Sequence, residues 1–244
     1  MPTFQSKHEV ANRIILAIDT ANAAEAEKLA ELAKSAGAIY IKFGLQLATA
    51  KSWQWCAKLA KKHQLDWVAD AKLDDIPNTT SASVASLVKL THSPYAITIH
   101  TTAGHQAMLG AQAKAGQVKI FGVTVLTSLS DEECQRIYGS TAKEKVLELA
   151  QSAATAGLAG IVASPQEVSM IKQNEKTKNL LTMIPGARST RVQTVDQARV
   201  ATPAETIAAG ADLLVIGREI TQASDPATAF AKIIDDIKGV INGA

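Results

Sequence analysis

Short apolar runs alternate with longer amphipathic segments eight times along the chain, and this alternation predicts a (β/α)8 TIM barrel. The apolar runs are rich in Ile, Val and Leu and lack strict polar alternation, as expected of parallel strands buried on both faces. The 244 residues contain no linker or low-complexity break, so we expect one domain over residues 1–244 with about twelve peripheral N-terminal residues. A doubly wound open sheet is the alternative, but eight regular units favour a closed barrel.

The elements can be placed in order along the chain. We expect strands at residues 14–19, 39–44, 67–73, 96–100, 119–127, 159–164, 180–186 and 212–218. Helices between them include residues 23–37, 52–63 and 143–157, and several end in glycine, the preferred residue just past a helix C-terminus. Thr202 to Glu205 has the order of a capping box with proline at the first helical position. Asp225 and Pro226 open the last helix similarly.

Composition gives no reason to expect nucleic acid or a membrane as a partner. The formal net charge is +2, and basic residues cluster only in short pairs such as Lys61-Lys62. The N-terminus lacks the apolar core of a signal peptide, and no run reaches the roughly 18 apolar residues of a membrane span. Cys56 and Cys134 are far apart in sequence without metal-type spacing, and Cys56 fits a reduced structural thiol. We therefore expect a cytoplasmic protein.

Polar residues gather at the carboxyl ends of the predicted strands, where (β/α)8 barrels have their active sites. These residues are Asp19, Lys42, Asp70, Lys72, His100, Thr127, Ser128, Ser164, Gly217 and Arg218. A strand's period of two places Asp70 and Lys72 on one face. The first three strands thus bring four charges of alternating sign to one mouth. The alternative is a purely structural ion-pair network. That explanation would suffice for a single pair, but it is less convincing for four charges on three consecutive strands.

Other ionisable residues have simpler explanations. Asp74 and Asp75 fit helix-start residues, since carboxylates there are stabilised by the helix dipole. The pattern alone leaves Asp75 open to either a capping or a chemical role. His100 is isolated from other ligand-type residues, so we expect a packed, hydrogen-bonded histidine rather than a metal ligand.

Two segments near the C-terminus predict a phosphate site. The polar stretch 187–201 is too long for a routine loop, and we expect a lid over the barrel mouth. After strand eight, Gly217 and Arg218 lead into a short segment before the last helix, as in the phosphate sites of such barrels. Arg188 and Arg218 would each offer a forked guanidinium to a phosphate dianion. The residues alone therefore predict a barrel enzyme that acts on a phosphorylated small molecule through a Lys/Asp cluster.

The stretch DAKLDDIPNT (70–79) resembles the DxKxxDIPNT signature of the orotidine 5′-phosphate decarboxylase family. Further blocks are similar to that family in its order, namely LAID (16–19), IKFG (41–44), VTVLTS (123–128), PGAR (185–188), DQARVATP (196–203) and LVIGREIT (214–221). The resemblance extends from about residue 13 to about residue 235. The DxKxxD core is shared with related sugar-phosphate enzymes, whereas the IPNT extension and the two last blocks are far more specific.

The resemblance implies decarboxylation of orotidine 5′-monophosphate to UMP, the last step of de novo pyrimidine synthesis, without a metal or organic cofactor. It implies a charged array of Lys42, Asp70, Lys72 and Asp75, in which Lys72 donates the proton. It further implies a homodimer in which Asp75 and Thr79 reach the neighbouring subunit's site. The remaining substrate contacts that it implies are Asp19 and Lys42 to the ribose, Thr127 to the pyrimidine, and Arg188, Gln197, Gly217 and Arg218 to the phosphate.

Two departures and two alternatives accompany the resemblance. Asp74 stands where the family often has an aromatic residue or histidine, and HTTAG (100–104) differs from the more usual HAxGG. A metal-dependent sugar-phosphate decarboxylase or aldolase of the same barrel group is one alternative, but its relatives typically have a Glu ligand where this chain has Val68. A catalytically silent nucleotide-binding protein is the other, and the intact Asp70 and Lys72 argue against it.

Overall fold

The strands of the computed structural model, which describes residues 10–189 and 201–242, close into a barrel. The strands are β1 Ile14–Ile18, β2 Tyr40–Gly44, β3 Asp66–Leu73, β4 Ala96–His100, β5 Lys119–Val123, β6 Gly160–Val162, β7 Leu181–Pro185 and β8 Leu213–Ile216. Each strand pairs in parallel with the next, and β8 pairs with β1. The predicted (β/α)8 barrel is therefore confirmed.

Helices follow the strands and surround the barrel. They are α1 Ala23–Ser35, α2 Leu45–Lys51, α3 Trp53–Lys62, α4 Pro77–Val88, α5 His105–Ala115, α6 Asp131–Tyr138, α7 Ala142–Thr155, α8 Val168–Gln173, α9 Pro203–Ala208, α10 Arg218–Thr221 and α11 Pro226–Asn242. Short 3-10 turns lie at Thr101–Ala103 and Pro165–Glu167. The predicted capping box of α9 is present, with the Thr202 side chain accepting from Glu205 N. Asp225 caps α11 as expected.

Several predicted elements differ in extent from those observed, and for two of them the local reason is visible. The fifth strand ends at Val123 rather than at residue 127, and Val125 beyond it is buried in a loop, so the apolar run continues after the pleat has ended. The predicted helix 52–63 begins one residue later, because Ser52 has φ 110° and separates α2 from α3. Val125 in the run VTVLT is therefore apolar because it is buried in a loop, and not because it belongs to the strand.

The apolar core has an inner layer inside the barrel and an outer layer beneath the helices. The inner cluster consists of Ile15, Val68, Ala96, Phe121, Met183 and Leu213. Two residues further along β2, β3 and β4 the same faces carry Lys42, Asp70 and Thr98, so a polar layer lies directly above the apolar one. The filled barrel leaves its C-terminal mouth as the place where a ligand can bind.

The N-terminal segment joins the outer layer where it is described. Val10 and Ala11 are buried within the outer cluster. Residues 1–9 lie outside the described part, so for them the predicted peripheral position stays a prediction. Within residues 10–189 and 201–242, no helix is both long and apolar enough to cross a membrane.

Candidate active site

A cavity of about 890 Å³ opens at the carboxyl ends of the strands. Its lining includes Asp19, Lys42, Gly44, Asp70, Lys72, Val125, Thr127, Met183, Arg188, Gly217, Arg218 and Glu219. Most of the predicted substrate contacts thus face one space, although they come from strands and loops spread over 200 residues of chain. The volume is within the range of pockets that hold small-molecule ligands.

Four charged side chains form a line of alternating sign across the cavity floor. Lys42 Nζ lies 2.9 Å from Asp19 Oδ1 and 3.2 Å from Asp70 Oδ2. Lys72 Nζ lies 2.7 Å from the same Asp70 oxygen. The Lys42 ammonium is therefore enclosed between two carboxylates, whereas Lys72 stands at the end of the line with a third of its side chain exposed (33%).

Burial and charge act on this line in opposite directions. Burial raises the pKa of Asp70, but the Lys42 and Lys72 ammoniums and the hydrogen bonds from Lys72 and Thr98 outweigh it, so that its pKa falls to about 2. Burial lowers the pKa of Lys42, but Asp70 and Asp19 outweigh it, so that its pKa is raised. Both groups are consequently charged at neutral pH, and the array is a set of fixed ions.

The backbone between Asp70 and Lys72 is irregular, which changes the reason for their proximity. The pairing of β3 with β4 shifts register, because Ala69 pairs with Ile97 while Leu73 pairs with Ile99. Lys72 adopts φ 44°, in the left-handed region that side chains rarely occupy. The Asp70 and Lys72 side chains are in contact, as predicted, but the predicted reason is wrong. A bulge brings them together, and not the regular period of two along a strand.

Thr98 supports this irregular stretch and was missed by the sequence analysis. The backbone N–H of Lys72 donates to Thr98 Oγ1 at 2.9 Å, and the Thr98 hydroxyl donates to Asp70 Oδ1 at 2.9 Å. The signal in the sequence is weak: one hydroxyl within the apolar run AITIH, two residues before His100. Nothing in the sequence shows that its partners lie on the neighbouring strand.

Gly44, the last residue of β2, lies beside the charged line, where a side chain would be crowded. A Cβ at Gly44 would lie 3.3 Å from Asp19 Oδ1 and 3.4 Å from Lys42 Nζ. Its backbone is extended (φ −101°, ψ −177°), so close approach rather than an unusual backbone angle sets the requirement. This glycine lets the Asp19 carboxylate and the Lys42 ammonium approach the floor of the cavity.

Three of the residues predicted to contact a phosphate follow β7 and β8. Arg188, Gly217 and Arg218 line the cavity, and α10 is the short extra helix expected there. The N–H of Ser189 donates to both Glu219 carboxylate oxygens, at 3.2 and 3.1 Å, and so joins the two loops.

The predicted lid, residues 187–201, is described only at its ends. Ala187 forms a bridge with Ala201, and Arg188 N donates to Ala201 O at 2.9 Å. Gln197 and the rest of the predicted lid lie outside the described residues.

Asp75 and Thr79 are exposed and are not among the residues that line the cavity of their own chain. Asp75 Oδ1 accepts the N–H of Ile76 at 2.7 Å. Asp75 lies two residues before α4, as a helix-start residue would, but Ile76 rather than Asp75 occupies the N-cap position. An exposed carboxylate outside this lining is available to a neighbouring molecule.

His100 and Asp74 lie beside the array. His100 is half-buried at the end of β4, and burial lowers its pKa, while the Asp74 carboxylate acts in the opposite direction. Asp74 also contributes to raising the pKa of Tyr138, after burial and Cys134. Within the described ranges, no cluster of three or more His, Cys, Asp or Glu side chains is arranged to hold a metal ion.

Sequence comparison finds one family and several curated relatives that share a name. Residues 12–233 match the family described as orotidine 5′-phosphate decarboxylase / HUMPS. The orotidine 5′-phosphate decarboxylase of Idiomarina loihiensis is 38% identical over 207 residues, which cover 83% of this chain and 88% of that protein. The protein of the same name from Synechococcus sp. strain WH7803 is 38% identical over 251 residues, covering 98% of this chain and 100% of the relative.

Structural comparison agrees with the sequence. The crystal structure of orotidine 5′-phosphate decarboxylase from Lactobacillus acidophilus superposes with a TM-score of 0.78 and 29% identity, covering 93% of this chain and 99% of the other. A crystal structure of an uncharacterized conserved protein from Geobacillus kaustophilus is similar with a TM-score of 0.76 and 26% identity, covering 92% of this chain and 99% of the other. The chain belongs to the orotidine 5′-phosphate decarboxylase / HUMPS family.

Proposed function

We propose that this protein decarboxylates orotidine 5′-monophosphate to UMP and CO2 without a metal or organic cofactor, and that Lys72 donates the proton to C6. The observation that carries the proposal is the alternating line of charges on the cavity floor. In this step the C6–carboxylate bond breaks, CO2 leaves, and its electron pair stays on C6. The ammonium of Lys72 then supplies the proton that makes the C6–H bond, and water restores the lysine.

Lys72 suits this role better than Lys42. Lys42 is buried and held by carboxylates on two sides, at 2.9 and 3.2 Å, which engage two of its three protons. Lys72 has one of these carboxylates as a partner and lines the open cavity. A donor must reach the atom that it protonates, and Lys72 is the more exposed of the two ammoniums that line the cavity.

The charged line addresses the difficulty of the reaction. The carbanion at C6 lies in the ring plane, where the π system cannot delocalise it, so the protein must lower the barrier by on the order of 20 kcal/mol. A fixed ammonium stabilises developing negative charge without the reorganisation that water would require. Asp70, held close to Lys72, would lie beside the departing carboxylate and disfavour the bound ground state.

The rest of the substrate would supply binding energy at a distance from C6. We assign the ribose hydroxyls to Asp19 and Lys42, the pyrimidine to Thr127, and the phosphate to Arg188, Gly217, Arg218 and Gln197. Six of these seven residues line the cavity, and Gln197 lies outside the described residues. Remote contacts of this kind can order the reacting centre and raise kcat as well as affinity.

We further propose a homodimer in which Asp75 and Thr79 complete the neighbouring subunit's site. Both residues are exposed, and neither lines the cavity of its own chain. Ile76 between them is an apolar side chain with 66% of its surface exposed, and Leu109 on the neighbouring α5 is 39% exposed. Apolar side chains in this position would be covered in a dimer.

An ultraviolet assay tests the activity directly. We expect the purified protein to consume orotidine 5′-monophosphate and release UMP, with turnover unchanged after treatment with EDTA, since the array contains its own cations. Turnover that disappears with EDTA and returns with a divalent metal would favour the metal-dependent sugar-phosphate enzymes instead. Val68, which lies buried in the inner layer where those relatives have a Glu ligand, argues against them. Folded protein without turnover contradicts the proposal.

The predicted place in the cell belongs with this proposal. A catalyst of pyrimidine nucleotide synthesis acts on soluble phosphorylated intermediates, so we expect it in the cytoplasm. Fractionation of cells that express the full chain would check this, and recovery with membranes would contradict it.

A further inference from the structure

The hydroxyl of Thr98 joins the two residues on which the proposed chemistry depends most. It accepts the backbone N–H of Lys72 at 2.9 Å and donates to Asp70 Oδ1 at 2.9 Å. A hydroxyl has one proton and two lone pairs, so the direction is determined: amide to hydroxyl to carboxylate. Thr98 is 1% exposed, and its partners cannot readily exchange it for bulk water.

The N–H of Lys72 needs this acceptor because β3 bulges at that point. Two steps along β4, from Ile97 to Ile99, face four steps along β3, from Ala69 to Leu73. In a regular ladder an N–H binds a carbonyl of the next strand, whereas a bulge leaves extra residues unpaired. The Thr98 hydroxyl replaces that carbonyl, and it thereby stabilises a backbone conformation with φ 44° at Lys72.

The same hydroxyl sets the plane of the Asp70 carboxylate. The last torsion angle of an aspartate side chain is broad, so contacts rather than rotamer preference must fix it. Oδ1 is held by Thr98 at 2.9 Å, which directs Oδ2 to Lys72 at 2.7 Å and Lys42 at 3.2 Å. Rotation of the carboxylate would break the contacts of both ammoniums together.

We propose that Thr98 is a positioning residue for the decarboxylation, an inference that rests on the proposed function. Through one hydroxyl it fixes the carboxylate plane of Asp70 and the backbone of Lys72, and hence the place of Lys72 Nζ in the cavity. It makes no contact with substrate in this role. Its loss should therefore affect kcat much more than KM.

Thr98→Val tests the proposal, because valine has the shape of threonine without the hydroxyl. We expect kcat to fall by roughly 10- to 100-fold, as misplacement of a reacting group does, with KM changed less than about threefold. Thr98→Ser keeps the hydroxyl and should retain kcat within about threefold. The matched control is Thr177→Val, which removes another buried hydroxyl, bound to Ile171 O at 2.7 Å near the opposite end of the barrel, and should leave kcat unchanged.

A second reaction isolates the position of Lys72. The enzyme should exchange the C6 hydrogen of UMP for deuterium in D2O, because exchange forms the same carbanion and moves the proton through Lys72 without a departing carboxylate. Thr98→Val should slow this exchange along with decarboxylation, whereas a change that only destabilises the fold would lower Tm and leave both rates intact.

If Thr98→Val does not fold, the comparison of Thr98→Cys with Thr98→Ser still tests the role of the hydroxyl. Thr98→Cys has the shape of Thr98→Ser but only a weak hydrogen-bonding group, so we expect its kcat to be at least about fivefold lower than that of the serine variant. Equal kcat in these two, or wild-type kcat in Thr98→Val, would overturn the role of Thr98. Absence of turnover in the wild-type protein would instead overturn the proposed function, so the two failures are distinguishable.

Discussion

At the scale of the residue, Asp70 shows how a buried charge is held ionised. One oxygen accepts from a threonine and the other contacts two ammoniums. An isolated carboxylate in this position would be expensive to bury, and truncating one partner of such a cluster leaves an uncompensated charge. The cluster is therefore stable as a whole and sensitive to the loss of any one member.

The lowered pKa of Asp70 predicts a defined pH dependence of stability. Its pKa is about 2 in the fold against an ordinary value of 3.8. Because the ionised carboxylate is favoured in the fold, it stabilises the folded state at every pH above the ordinary pKa of 3.8. This stabilisation, about 2 kcal/mol, is lost as the pH falls from about 4 towards 2. The difference in unfolding free energy between wild type and Asp70→Asn, measured in urea, should thus narrow from pH 5 to pH 2.5. A difference that stays constant over this range would contradict the role of the two ammoniums.

At the scale of the element, the chemistry depends on where strands stop being regular. The end of β3 bulges, and the start of α2 passes close to the charged line at Gly44. Both features lie at the carboxyl ends of strands, while the strand interiors below them are apolar and regular. The regular part of the barrel supports the site, and the bulge in β3 and the close approach at Gly44 determine where the charged side chains lie.

Gly44→Ala tests the close approach at the β2–α2 junction. The new Cβ would press on Asp19 Oδ1 and Lys42 Nζ, at 3.3 and 3.4 Å, so we expect kcat/KM to fall by roughly tenfold as these groups move. Gly239→Ala is the matched control, since a Cβ there meets nothing within 4 Å. In α11 it should raise the unfolding free energy by about 0.5–1 kcal/mol and leave turnover unchanged. Wild-type kcat/KM in Gly44→Ala would show that the junction has room to spare.

Strand positions and most of the charged line follow from the sequence, because burial and strand ends leave a local pattern. The features that do not follow depend on contacts across the fold. Thr98 is one hydroxyl in an apolar strand, and its partners are 26 and 28 residues away. The bulge at Lys72 contains no glycine that would indicate an unusual backbone angle in the sequence. Val125 lies in a buried loop, so its apolar side chain is indistinguishable in the sequence from one in a strand.

At the scale of the whole molecule, the proposed dimer divides each site between two chains. Lys72 lines the cavity of its own chain, whereas Asp75 is exposed outside it. The pattern of residues in a sequence does not show which of them act in another copy of the chain. From that pattern alone, Asp75 is explained as a helix-start residue. A C2 interface would place each subunit's Asp75 in an equivalent position at the other's site.

Mixing two inactive variants tests this division. Lys72→Ala and Asp75→Asn should each be nearly inactive alone. Their heterodimer contains one site with both native residues, so random exchange at equal amounts should restore about one quarter of wild-type activity, since half of the dimers are mixed and each has one intact site. The control is Lys72→Ala mixed with the double variant, where every site lacks Lys72. Heterodimers that form without gain of activity would contradict the shared site.

The left-handed backbone at Lys72 has a consequence for anyone who engineers this protein. A backbone angle of φ 44° favours glycine, and a non-glycine residue there costs on the order of 1–3 kcal/mol. Glycine at position 72 would relieve this strain, but it would also remove an ammonium from the buried Asp70 carboxylate, 2.7 Å away. The two effects on stability oppose each other, so a library meant to improve thermostability should hold position 72 constant and keep the lysine that the proposed reaction requires.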